Sequence, residues 1–306
     1  MIETARRSDR ARGYRPQARR GFPVTGLRRW GVVLAVALAM AVSAACGQPP
    51  APAPVVVAAS AEPQSAVLAQ LYAAGLRYYG TPAHVVSVED PIAALDSGTA
   101  TVTIGFTGRI LHRFDPQSTA RTPQSVYRAM VGALPEGIAA ADYAVAAENK
   151  PALAVTESTA TAWGSRDLAG IVPRCGQLRT GSTTHTWAPL VVGGCALASP
   201  REFDSTTALF DALRLSVINA AWTDTTAQVA AGVVLLADPP PALIRAENVV
   251  ALYRRNALGT AALRSVNEIA GVLDTAGLAA MTSRVNQGAA AQAVAQAWLD
   301  DNPLGR

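Results

Sequence analysis

The chain has 306 residues, half of them hydrophobic, with 26 Lys+Arg against 22 Asp+Glu and a formal net charge of +4. That positive balance is local. Nine of the basic residues and two of the acidic ones, Glu3 and Asp9, lie in the first 45, which leaves 17 basic and 20 acidic residues, net −3, beyond them. That remainder has no basic stripe, so it lacks the electrostatic footprint of a nucleic-acid binder, and it is long enough for one or two domains with a sizeable core.

The nine leading arginines, Arg6 to Arg29, precede an apolar run that ends in Ser43-Ala44-Ala45-Cys46-Gly47. A basic segment, an apolar segment and a small-residue cleavage site are the parts of an export signal. The final five residues resemble a lipobox, in which the cysteine is lipidated and becomes the first mature residue; Ser43 stands where Leu is preferred. The apolar run of about 16 residues is shorter than the ~20 a spanning helix needs. We therefore expect residues 1–45 to be a lipoprotein signal peptide and Cys46 to be the lipidation site. The protein is then held on the extracytoplasmic face of the cell membrane. Gln48 to Pro54 (QPPAPAP) completes a proline-rich tether over 46–54, extended because proline fixes φ.

Val55-Val56-Val57 is the first strand expected. Ser65 to Tyr79 carries Val67, Leu68, Leu71, Leu76 and Tyr79 at helical spacing. Val85 to Val88 predicts a strand, and Pro91 to Leu95 a helix with proline in its first turn. Glu89-Asp90 sits just ahead, where acidic groups favour a helix start. Thr101 to Ile104 predicts a strand, Gly105 to Gly108 a turn, and Ser125 to Leu134 a helix. Tyr143 to Ala147 reads as a connecting strand and Ala152 to Val155 as another. Thr159 to Trp163 reads as a short helix, with Asp167-Leu168 opening a further one. Ser205 to Leu215 is helical, with Leu209, Phe210 and Leu213 on one face; Ile218 to Trp222 and Val233 to Leu236 are strands. Three helices close the chain, over 260–273, 275–285 and 289–299. Alternating strands and helices argue for an α/β fold with largely parallel sheets.

Chemistry is sparse. The chain has no GxSxG, GxxxxGK[ST], HExxH or GxGxxG, and its three histidines, His84, His112 and His185, stand apart from any nucleophile. The reading is of a protein that is not an enzyme and needs neither cofactor nor metal. Cys175 and Cys195 remain after the leader. In an exported protein such a pair reads as a disulfide. The zinc alternative has only His185 between them and no CxxC or HxxxH spacing.

Several blocks, in order, resemble the substrate-binding proteins of glycine-betaine/choline-type ABC importers. Val55 to Tyr72 is similar to that family's first strand, ligand loop and helix. Ala93-Ala94-Leu95-Asp96-Ser97-Gly98 with Thr103-Ile104-Gly105-Phe106-Thr107-Gly108 resembles its "AL..G.ID..PEYTG" block. Asn149 to Thr156, Leu209 to Asp224, Val234 to Asp238, and a final helical block with Asn267 and Leu273 to Val285 follow in the same order. The resemblance spans about residues 55–300.

It implies a two-lobed, type II periplasmic-binding-protein-like fold. Each lobe is then a mostly parallel sheet flanked by helices, with lobe I at 55–145 and 242–306 and lobe II at 146–241. It implies a small zwitterionic or quaternary-ammonium-like solute as ligand and an ABC permease as partner. A binding-protein-like lipoprotein without transport, serving as sensor or envelope scaffold, is the alternative. The family holds an onium head in an aromatic cage by cation–π attraction. Here Phe106 replaces a cage tyrosine, Gly105 the acidic residue before it, Arg109 a small hydroxyl residue, and Pro151 a second cage tyrosine. Ligand contacts are expected from Phe106, Thr107 and Arg109, from Trp222, Thr223 and Asp224 at a strand end, from Ser60 in the first loop and from Asn248. Phe106 and Trp222 are expected to face each other as a clamp.

Overall fold

The computed structural model describes residues 53–184 and 186–305. The leader, Cys46 and most of the tether lie outside the described residues. The chain from Val55 onward folds around two five-stranded sheets.

The first sheet has the order β2-β1-β3-β12-β4, with β1 at Val55–Ala59, β2 at Ala83–Ser87, β3 at Val102–Phe106, β4 at Ile138–Glu148 and β12 at Asn248–Arg254. β12 pairs antiparallel with both β3 and β4, while β1 is parallel to β2 and β3, so four strands run one way and β12 alone runs back. The second sheet has the order β11-β5-β10-β6-β9, with β5 at Pro151–Thr156, β6 at Thr180–Thr183, β9 at Arg201–Phe203, β10 at Ala220–Asp224 and β11 at Val233–Leu235. Here β5 is the reversed strand. Each reversed strand is the one that opens its sheet after a crossing. β4 ends at Glu148 and β5 starts at Pro151, so the chain changes sheet over Asn149 and Lys150, then returns between Leu235 and Asn248. Reversal lets the chain enter each sheet from the ends where the other strands finish, which gathers those ends beside the crossings.

Helices cover both faces of the first sheet. α1 (Pro63–Tyr78) starts with Pro63, whose missing N–H is harmless in a first turn. α2 (Pro91–Ser97) is capped by Asp90, whose Oδ1 accepts from the Ile92 and Ala93 N–H groups at 3.0 Å each, and ends at Gly98 with φ +82°. α3 (Thr107–Phe114) begins directly on β3, and α4 (Pro123–Ala133) follows. The chain ends with α7 (Thr260–Val272), α8 (Thr275–Asn286) and α9 (Ala291–Asp301). β12 shows the two faces most clearly. Val249 and Ala251 join the core under α1, α7, α8 and α9, while Val250 and Leu252 join the one formed by α2, α3 and α4, as the two-residue strand period dictates.

The second sheet is covered on one face by α6 (Thr206–Arg214). Its other face is covered by α5 (Glu157–Trp163), the 3-10 helix Leu168–Gln177 and the hairpin of β7 (Val191–Val192) and β8 (Cys195–Ala196). Cys175 and Cys195 are disulfide-bonded, Cα–Cα 5.5 Å. Among the described residues no helix is long and apolar enough to cross a membrane.

Candidate functional site

The finishing ends of β1, β2 and β3, with the segments that follow them, wall a cavity of about 670 Å3. Ser60, Glu89, Asp90, Phe106 and Arg109 line it, together with Gln64 from α1. This is where open α/β sheets place ligands. Ser60 is fixed as part of the α1 entry: its N–H donates to Ser65 Oγ at 2.9 Å, and its own Oγ accepts from the Glu62 N–H. Asp90 pairs with Arg113 at 2.7 Å, and that hydrogen bond holds its carboxyl below the usual carboxylate range.

Phe106 and Arg109 sit together on this wall. Phe106 is only 7% exposed, and its ring packs into the first sheet's core. The exposed Arg109 guanidinium lies over it, 4.7 Å from the centroid.

Two further expected contacts have structural partners instead. Thr107 is fully buried, and its Oγ1 accepts from the Asn248 N–H at 3.1 Å and donates to Ala246 O. Asn248 is 1% exposed, and its Nδ2 donates to the Ala144 and Val145 carbonyls at 3.0 and 3.3 Å. Both fasten the start of α3 to the returning crossing, and neither lines the cavity described above.

The sequence reading missed Glu247. It is buried, and its Oε2 accepts the Arg109 N–H at 2.9 Å, which sets a carboxylate on the first turn of α3. Charge and dipole favour that position. Gly108 is required beside it: a Cβ there would meet Ala246 O at 2.6 Å and Glu247 Oε1 at 2.7 Å. The available signal was a lone acid inside the apolar stretch Leu243 to Tyr253, whose natural fate is a buried partner.

Burial pushes the Glu247 carboxyl up from 4.5 to about 7, against the opposing pull of Arg109. The folded state then holds this proton more tightly than the unfolded chain. The contribution is full below about pH 4.5 and is lost as pH rises through about 7. Glu247→Gln should therefore remove a decline of about 3 kcal/mol between those limits. Urea midpoints measured from pH 4.5 to 8 decide this; equal slopes in the variant and the parent would refute it.

The second sheet's expected contacts do not meet the first. Trp222 is 1% exposed and packs against Leu153, Val155, Leu168 and Ile171. Strand alternation turns it to the face covered by the 3-10 helix, while Ala221 faces α6. The Phe106–Trp222 clamp is thus not formed, because each ring belongs to the core of its own sheet. Thr223 is buried next to it. Asp224 organises a turn: its Oδ1 accepts the Thr226 N–H at 2.9 Å. The Thr226 hydroxyl reaches Asn149 Oδ1 at 3.2 Å, and Asn149 Nδ2 donates to Gln64 Oε1 at 2.7 Å. Asp224 is therefore tied through the first crossing to a residue of the cavity. Lys150 Nζ lies 3.4 Å from Asp238 and 3.9 Å from Glu148, joining the outgoing and returning segments.

Comparison with known proteins agrees with this architecture. Residues 205–301 match the family model described as the substrate binding domain of ABC-type glycine betaine transport systems. A solved glycine betaine/carnitine/choline ABC transporter structure superposes with TM-score 0.67 and 16% identity over 81% of this chain and 98% of its own. Apo YehZ from Escherichia coli gives TM-score 0.63 and 19% identity over 82% and 99%. An ABC-transporter choline binding protein in complex with choline gives 0.52 and 13% over 84% and 91%. No curated protein sequence matches significantly. The chain thus has the two-lobed type II binding-protein fold, and its residues 205–301 are similar to the substrate-binding domain of ABC-type glycine betaine transport systems.

Proposed function

We propose that this protein is the lipid-anchored, extracytoplasmic solute-binding component of an ABC importer. It takes a small zwitterionic or quaternary-ammonium-like solute into the cleft between its two sheets and presents the closed form to a membrane permease. The observation that carries this reading is the cavity of about 670 Å3 at the finishing ends of β1, β2 and β3, whose lining residues Gln64 and Arg109 are hydrogen-bonded to Asn149 and Glu247 of the two chain crossings. Two crossings make a hinge. A solute that touches both lobes favours the closed form by its differential affinity for it. In this reading lobe II begins with β5, after the crossing over Asn149 and Lys150 and a few residues past the expected 146, and runs to 241, and the remainder from 55 forms lobe I. The lipobox-like segment ending at Cys46 supports the anchor.

Thermal unfolding of the full chain against glycine betaine, carnitine, choline and free amino acids tests the reading. A solute that binds only the folded protein at 100 times its Kd stabilises it by about 2.7 kcal/mol, so at least one should raise the melting temperature in a saturable way. A flat response to every member of that panel at millimolar concentration would contradict it.

A further inference from the structure

The wall that would greet a cationic head already holds a cation. Attraction between a cation and an aromatic face requires the charge within about 6 Å of the ring centroid. Arg109 is at 4.7 Å from the Phe106 centroid, and Phe106 as a residue is only 7% exposed. The ring cannot readily turn to offer another face. It ends β3 inside the core, and the next three residues are clamped to the returning crossing by Thr107–Asn248 and Arg109–Glu247 hydrogen bonds. Among the described residues the guanidinium itself has no ion-pair partner; Glu247 accepts from the Arg109 backbone N–H. Of the other charges lining the cavity, Asp90 is taken by Arg113 and by the α2 cap, while Glu62 and Glu89 are exposed. The wall thus presents a planar, stacked cation with free donors, the geometry that receives a carboxylate.

Resting on the solute-binding reading, we propose that Arg109, stacked on Phe106, is the specificity-determining residue of the cleft. It receives the carboxylate of the solute and excludes solutes whose only charge is a quaternary ammonium. A zwitterion then enters with its carboxylate toward Phe106 and its ammonium toward the exposed Glu62 and Glu89.

Calorimetric titration of the full chain with glycine betaine, choline and 3,3-dimethylbutyrate tests this. The last is the carboxylate in which carbon replaces the betaine nitrogen. The two carboxylates should bind within about tenfold of each other, and choline at least about tenfold more weakly, a difference set by one charge-assisted contact. Arg109→Thr uncovers the ring and removes the donor, so choline should gain and dimethylbutyrate should lose about tenfold each. Arg109→Lys keeps the charge without the planar fork and should preserve the parent order. Choline binding the parent as tightly as betaine, or betaine binding while dimethylbutyrate does not, overturns the proposal and leaves the solute-binding reading intact. An unchanged order in Arg109→Thr overturns it too. Absence of binding by all three probes to parent and variant overturns the reading together with the inference.

Discussion

Trp222→Ala is expected to cost about 3–5 kcal/mol of folding stability, the range for removing a large buried aromatic side chain. Trp222 is the largest fully buried side chain of the described residues, and it fills the space between β5, β10 and the 3-10 helix. Its neighbours Leu153 and Val155 belong to β5 and Leu168 and Ile171 to the 3-10 helix, so the gap cannot close without moving strand against helix. Interiors are packed too densely for such a void to be absorbed cheaply. Urea unfolding of the variant measures the loss. A cleft tryptophan behaves differently: its truncation weakens binding and leaves stability within about 0.5 kcal/mol, as surface changes do. That second outcome would return Trp222 to the site and contradict the packing described above.

Opening the Cys175–Cys195 bond should cost about 3 kcal/mol, the loop-closure value for a closed segment near 20 residues. The bond joins the 3-10 helix to a hairpin whose strands are two residues each. A two-stranded hairpin is marginal on its own, yet its Val192 lies in the same core as Trp222 and is buried there. The disulfide therefore holds the cover of that core in place. Cys175→Ser with Cys195→Ser, or reduction of the parent, should lower the denaturant midpoint by the same amount. A midpoint unchanged in both would show that the cover is held by packing alone. Because the bond and Trp222 support one cluster, the two losses should not add when combined.

The elements of the first sheet were readable where a strand or helix carries its own period. Helix 65–79 is found at Pro63–Tyr78, and the strand expected over 101–104 is found at Val102–Phe106. β12 was not readable. Its NVVALYR run is apolar at consecutive positions because it is buried on both faces, which erases the alternation that marks a strand. β4 was expected over 143–147 and occupies Ile138–Glu148, with shifts of register against β12 that blur its pattern. β6 to β9 are two to four residues long, shorter than any periodicity can reveal.

The site divides along the same line. Ser60, Phe106 and Arg109 share a wall because they follow adjacent strands, and strand order in this topology is carried by the alternation of elements. Trp222 was misplaced because parity says that neighbours on β10 face opposite ways, but not which face a distant 3-10 segment will cover. Glu247 is buried by contact with a helix start 138 positions away in sequence, a relation no local pattern contains. The Arg109 stack, by contrast, lies within three residues of Phe106 and was foreshadowed by the departure from the family block.

Closure on a solute is the centre of this account, and small-angle neutron scattering of the full chain in contrast-matched detergent measures it. Saturation with a solute that raises the melting temperature should shrink the radius of gyration at constant mass, as hinge closure of two lobes requires. An identical scattering profile with and without that solute would contradict the account.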